Sequence, residues 1–414
     1  MLRSVERHTW PRLVAVLLAG VMGAAACVVG GQSAPVVITL ATQSVDDHEE
    51  NKDAAVKAFE QKNPDVRVRI RAMSLDTTLA LEQLSNRFRT GIEVPDVVTA
   101  DIFWIATLVQ NGWVMSLDRF HPNKSAFFEA PIKAATVGGK LYAVPWFIDA
   151  EGIYYRTDLV QEPKTPRDVV TSASAATRSA GIPYGVAFEG QQYEGLVTAF
   201  VDVGGTLDLG RLDTEGNQAA IAYLRDLIHR DHVSPLDVTR WREDDVKSKY
   251  VSGQAVFAIN WPYVFQAAET DPKSAVKGRT AWIPFPSSAG RPQAALGGWD
   301  LVISSRSKHP DEAYRLIQFL SREDVQIARA VNPPGNAPAV QAAYRADLYR
   351  KAPWFKDQKA VYEVAVPRPI DPRYPQASTI LQAQLERVLM NQAEPKDALA
   401  TAQAQVQQLL RSGP

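Results

Sequence analysis

The chain has 414 residues, a formal net charge of −1, and 46% hydrophobic against 22% charged residues. That balance excludes an intrinsically disordered chain and offers no basic footprint for nucleic acid. The length favours two lobes over one domain, and a single cysteine excludes an internal disulfide.

In chain order, Arg3, Arg7 and Arg12 precede the apolar or small run LVAVLLAGVMGAAA, which ends at Cys27. A basic start, a short apolar stretch and small residues before a break form a secretory leader over 1–27. The run is too short to span a hydrocarbon core of about 30 Å. Cys27 directly follows GAAA, which resembles the lipobox of bacterial lipoproteins, with Ala24 where that motif has Leu. The resemblance implies lipidation of Cys27 and anchoring to the outer face of the cytoplasmic membrane. VVGGQSAP (28–35) is then a flexible linker.

Strands and helices alternate beyond it. VVITLA (36–41) is a continuous apolar strand, and DDHEENKDAAVKAFEQKNP is a helix with an acidic start. VRVRIRAM (66–73) alternates as a strand, TLALEQLSNRFRTG is an amphipathic helix closed by Gly91, and DVVTAD (96–101) is a third strand before the helix IFWIATLVQNGW. Repeated strand–helix–strand units predict parallel α/β sheets. Ligands in such sheets bind beyond the carboxyl ends of the strands, here Thr42–Glu49 and Asp101–Trp104. The pattern breaks at 137–158, where Gly138-Gly139 is a turn and two β-rich segments flank PWFIDAEG. A second α/β stretch follows, with strands at 185–189 and in AVFAIN, then an extended segment at 294–307 and mainly helical sequence to the end. Two α/β lobes joined by more than one extended crossover is the simplest architecture.

After AVFAIN come Trp261, Pro262, Tyr263 and Phe265, an aromatic cluster at the mouth of a strand that Pro262 ends. A sugar presents apolar C–H faces and a rim of hydroxyls, so rings at such a mouth suit its faces while paired donors and acceptors suit its rim. A tryptophan packed in the second lobe fits the same residues equally well.

The segments DVVTADIFWIATLVQNGWVMSL, KLYAVPWFIDAEGIYYRTDLV, EGQQYEGL, AINWPYVF, GGWDLVISSRSKHPDEA and PRPIDPRYPQAS resemble the solute-binding proteins of bacterial ABC importers. NWPYVF with RP…Y…AS resembles the maltose- and trehalose-binding branch, and within it the mycobacterial trehalose-binding lipoproteins. The resemblance implies a two-lobed periplasmic-binding-protein fold, each lobe a mainly parallel sheet flanked by helices, with the ligand cleft between. Its implied boundaries put 36–148 with 298–334 in the first lobe and 149–297 with 335–414 in the second. It further implies a monomer that captures a disaccharide, trehalose first, by hinge closure and delivers it to membrane permease subunits driven by a separate cytoplasmic ATPase.

On that resemblance Trp261 stacks on one sugar unit beside Asn260, with Tyr263 and Phe265 as packing residues. Asp101 accepts sugar hydroxyls, with Trp104 nearby, although the same aspartate suits the N-cap of the helix behind it. Asp149 stands where the trehalose-binding relatives have Asn, which keeps an acceptor and drops a donor. Gly297 and Gly298 let backbone approach the ligand, followed by Trp299, or they form an ordinary turn. Arg368 bridges hydroxyls while pairing with Asp101 or Asp149; Arg373 competes for that role, and Tyr374 is its neighbour. Glu189, Gln191 and Glu194 offer second-lobe contacts, and Asp46 and Glu49 first-lobe ones, against the plainer readings of surface solvation and helix N-terminal charge. No HExxH, P-loop, GxSxG or GxGxxG context appears and nothing singles out a pair of acids for glycoside hydrolysis. No metal or cofactor is expected, and the reading is a binding protein rather than a secreted hydrolase or a scaffold.

Overall fold

In the computed structural model residues 34–43, 53–287, 293–333 and 335–412 are described; the leader, Cys27, Asp46 and Glu49 lie outside them. Strands β1 (Val36–Gln43), β2 (Val66–Met73) and β3 (Val97–Asp101) alternate with helices Ala54–Lys62 and Thr77–Thr90. Each helix starts where an aspartate accepts an otherwise unpaired amide: Asp53 from Ala55 N at 2.8 Å, Asp76 from Leu79 N at 3.0 Å. Gly91, at φ +74°, closes the second. The short strands β4 (Thr136–Val137) and β5 (Lys140–Leu141) make a hairpin turned by Gly138 and Gly139, both at positive φ.

β6 (Ala143–Ala150) contains PWFIDA within one strand and passes through Glu151 into β7 (Gly152–Arg156). β8 (Tyr184–Ala187), β9 (Ala255–Asn260) and β10 (Thr280–Ile283) follow, then β11 (Leu296–Ile303) and β12 (Ala337–Pro338). Two main sheets result, in the orders β12-β6-β11-β3-β1-β2 and β10-β7-β9-β8. They define two lobes, each with its helices packed around the sheet.

The mainly parallel sheets expected from the sequence are mixed sheets instead. Parallel strand pairs are β1–β2, β1–β3 and β8–β9, and the remaining pairs are antiparallel. The reason is the crossing between lobes. A strand reached through a helical crossover re-enters its sheet in the same direction, whereas β7 and β11 arrive from the other lobe and start at the cleft end. The lobe boundaries shift for the same reason. Asp149 and Ala150 pair with Gly297 and Leu296 inside the first sheet, and Ala337–Pro338 pair with Ile148 and Phe147 there, not in the second lobe.

The crossings are laced together. Glu151 N donates to Ala295 O at 3.1 Å, Val366 N to Ala294 O at 2.9 Å, and Leu296 N to Val366 O at 2.8 Å. Asp202, from helix Glu194–Asp202, accepts from Ala295 N at 2.8 Å. The side chain of Glu151 is fully buried here beside the second-lobe acids Asp202 and Glu189. Burial, with the neighbouring acid Glu243 adding to it, pushes Glu151 up to about 8 from 4.5, while Asp202 and Glu189 are driven well up by burial and then by Glu151. The folded protein therefore keeps a proton that the unfolded chain gives up. This contribution to stability is full below the unfolded value, falls as pH rises toward about 8, and then levels off. Glu151→Gln, which holds the neutral shape, should gain about 1–3 kcal/mol over the parent at about pH 8 and almost nothing at about pH 5. Urea unfolding at the two pH values checks it, and an equal change at both removes the linkage.

Candidate functional site

A cavity of about 660 Å³ lies between the lobes. Its first-lobe wall follows from the register of three neighbouring strands. At their cleft ends Asp101 on β3 stands opposite Trp299 on β11, and Gly297 on β11 stands opposite Asp149 on β6. Gly298, at φ +128°, has Phe147 O within 2.6 Å of where a Cβ would stand, so only glycine fits between Gly297 and Trp299, one residue before the register of β11 against β6 shifts at Trp299–Asp300. The second-lobe wall is built from Glu194, Gly195 and Thr198 of one helix, Trp261 and Tyr263 beyond β9, and Arg242–Asp245.

Trp261 lies across the backbone of Gly297: its ring atoms Cζ3 and Cη2 come within 2.5–2.7 Å of the place a Cβ would take. Its backbone is fixed on both sides, Trp261 N donating to Asn260 Oδ1 at 2.8 Å and Trp261 O accepting from Tyr154 Oη at 2.8 Å. Asn260 is fully buried, and its amide donates to Glu243 O at 2.9 Å. It shapes the turn behind the ring and is not on the cavity wall. Tyr263, expected as a packing residue, lines the cavity and donates to Asp244 at 3.2 Å. Phe265 packs behind, stacked on Trp354 at 5.7 Å. Trp104 is fully buried against Trp299, at 5.2 Å edge-on, and backs the wall instead of forming it.

Arg368 joins the lobes. It donates to Asp101 Oδ1 at 2.8 Å and Glu194 Oε1 at 3.2 Å, with its guanidinium 4.5 Å from the Phe103 ring centroid. Its Nη groups are thus spent on two carboxylates, not on Asp149. Asp101 also accepts from Phe103 N at 3.3 Å, so the cap and the ion pair share one oxygen. Burial pushes the Asp101 carboxyl up to about 6 even though Arg368 pulls it down, Glu194 adding to the rise. Glu194 is saturated: it also accepts from Tyr374 at 2.6 Å, Ser378 at 2.5 Å and Gln382 at 3.4 Å. Tyr374 is therefore a support for Glu194 and lies off the wall. Gln191 accepts from Arg242 at 2.9 Å, Glu189 is buried at the crossings, and Arg373 is paired with Asp371 at 2.8 Å, away from the cavity.

Several wall residues carry no signal in the sequence. Arg329, in the last turn of helix Glu323–Val331, reaches back to pair with Asp53 and lies 4.0 Å over the Trp146 ring. Arg242 crosses the mouth from the second lobe to Asp76 of the first at 2.7 Å. Both read as solvated helix charges in sequence. Trp146 and Phe147, which line the cavity, were discernible only as part of PWFIDAEG.

Two lobes around an aromatic and carboxylate-walled cavity are the architecture of a solute-binding protein. The chain belongs to the bacterial extracellular solute-binding protein family, which matches residues 46–327. A Deinococcus radiodurans protein named "Probable ABC transporter-binding protein" is 30% identical over 344 residues, 77% of this chain and 80% of its own. The galactooligosaccharide-binding protein of Bacillus subtilis is 22% identical over 370 residues, 84% of each chain. Among solved structures, maltose-bound T. maritima MalE3 is 30% identical with a TM-score of 0.84, covering 90% of this chain and 100% of that one. Among the described residues no helix is long and apolar enough to cross a membrane, and no acid, His or Cys cluster is arranged to hold a metal ion.

Proposed function

We propose that the protein captures a disaccharide outside the cytoplasmic membrane and delivers it to the permease of an ABC importer, with trehalose the sugar its motifs favour. The observation that carries this reading is the Trp261 ring laid over Gly297 in a cavity of about 660 Å³ whose wall also carries Asp101 and Asp149. That size suits a small solute, and an aromatic face opposite a few polar groups suits a sugar. Similarity to maltose-bound MalE3 supports the same class and keeps maltose as the second reading.

Ligand capture uses the hinge. Sugar touching both walls favours the closed state by its difference in affinity for the two states; Arg368 and the Arg242–Asp76 pair are cross-lobe contacts of that state. A lipidated Cys27 tethers the monomer beside the permease. The ATPase is a separate partner, since the sequence carries no P-loop. No step breaks a bond: Asp101, the best-placed acid, is held by Arg368.

Calorimetric titration of the full chain, in a detergent without a sugar headgroup, with trehalose, maltose, sucrose and glucose tests the reading. Trehalose binding at about micromolar Kd with weaker maltose supports it. Silence across the panel sinks the sugar assignment and leaves the family standing. Glucose released from the disaccharide would replace binding by hydrolysis.

A further inference from the structure

Seven carboxylates and three guanidiniums line the cavity. Every guanidinium is already committed: Arg368 to Asp101 and Glu194, Arg329 to Asp53, Arg242 to Asp76. The wall thus offers no free cation to a phosphorylated or carboxylated sugar among the described residues.

The acids differ in what they receive. Asp53, Asp101, Glu194, Asp244 and Asp245 each accept a hydrogen bond from a side chain or amide of the protein, and Glu243 lies beside the Tyr193 hydroxyl, which donates to Glu189 at 3.1 Å. Asp149 accepts none among the described residues. It is 9% exposed, and its Oδ1 is buried without a partner. The groups around it are Asp101 from β3, Tyr154 from β7, and Tyr344 and Tyr362 from the segments packed on β6. Each tyrosine gives its proton elsewhere: Tyr154 to Trp261 O at 2.8 Å, Tyr344 to Pro338 O at 3.0 Å, Tyr362 to Gln358 Oε1 at 2.9 Å. A buried carboxyl with no donor from the protein is costly to keep unless a ligand supplies one. Its strand partner Gly297 carries the Trp261 ring, so an aromatic face stands beside the unmatched acid.

We propose that Asp149 makes this cavity selective for saccharides bearing a protonated amine, the ammonium sitting between the Asp149 carboxylate and the face of Trp261. A buried ion pair and a desolvated cation–π contact together favour the amine over a hydroxyl at that place. Burial, with the charge of Asp101 second, holds the empty site's Asp149 carboxyl well above the usual carboxylate range. The exchange is then balanced as follows: the carboxylic acid releases its proton to solvent, the ligand keeps its ammonium, and the two charges pair. A neutral sugar leaves the proton in place and accepts a hydrogen bond from it.

The proposal rests on the sugar reading above, and its test separates the two. The full-length protein and Asp149→Asn are titrated at neutral pH with trehalose and maltose, each alongside its 2-amino-2-deoxy analogue, in buffers of different ionisation enthalpy. The parent should bind an amine about tenfold or more tighter than its neutral counterpart, with net proton release on binding. Asp149→Asn, its fold checked separately by circular dichroism, should lose that preference and the proton release, whatever affinity it keeps for the neutral sugar. Equal affinity for amine and neutral sugar in the parent, or a preference that survives Asp149→Asn, overturns the proposal and leaves the disaccharide reading intact. The parent comparison decides the matter even if the variant does not fold. Binding of no sugar at all removes the proposal together with the reading beneath it.

Discussion

Arg368→Ala should lower the stability of the folded protein by about 3–5 kcal/mol and abolish measurable sugar binding. The arginine is buried, and it holds one carboxylate from each lobe, Asp101 at 2.8 Å and Glu194 at 3.2 Å. Removing it leaves two acids facing a vacated, poorly solvated space, and the desolvation that already raises Asp101 to about 6 goes unopposed by its largest compensating charge. Arg368→Lys should fail to restore either property. An ammonium cannot hold two carboxylates in a planar fork while lying over the Phe103 ring. The cause can be told from simple loss of volume by neutralising the whole set. Asp101→Asn, Glu194→Gln and Arg368→Met combined should regain most of the stability, because replacing a buried ion cluster by neutral groups is often close to neutral, whereas breaking it is not. Urea unfolding of the three proteins is the measurement. A loss below about 1 kcal/mol for Arg368→Ala would show that solvent reaches the cluster and that the two lobes are held elsewhere.

That cluster also shows where reading the sequence ends. Asp101 was discernible because it closes a strand in a strand–helix repeat, and the carboxyl ends of such strands face the cleft. Trp261 was discernible because Pro262 stops its strand and leaves large rings at the mouth. The Glu194 set was not. Its partners Arg368, Tyr374, Ser378 and Gln382 come from the chain's third passage between lobes, more than a hundred residues on. No local period encodes such a meeting. Trp104 and Trp299 illustrate the same limit on a smaller scale: both follow strand or strand-end glycine signals, yet the 3-10 turn Ile102–Trp104 carries one ring inward while the register of β11 with β3 brings the other to the wall. Arg329 lies in the last turn of its helix, where the helix dipole explains a cation, and Arg242 precedes its helix, where solvent and the acids that follow it explain one. Only the tertiary fold sends one over Trp146 and the other across the cleft to Asp76.

Trp261→Ala should weaken sugar binding by about 1.5–3 kcal/mol, roughly ten- to 150-fold, with little change in unfolding. The ring is only partly buried and lines the cavity, while the backbone that carries it is tied to Asn260 and Tyr154 whatever the side chain. Loss of the ring therefore removes ligand contact area before it removes packing. Gly297→Ala supplies the complementary result with the tryptophan still present. A methyl at that position meets ring atoms at 2.5–2.7 Å, closer than carbon atoms can approach, so the ring must lift from the strand and into the space the sugar needs. The two changes act through one contact and should not add: with Trp261 already removed, Gly297→Ala has nothing to displace and should cost little more. Calorimetry on the two single variants and the double variant completes the cycle. Full additivity would mean that Gly297 serves the ligand through its own backbone, and that the ring's resting place on the strand has no part in recognition.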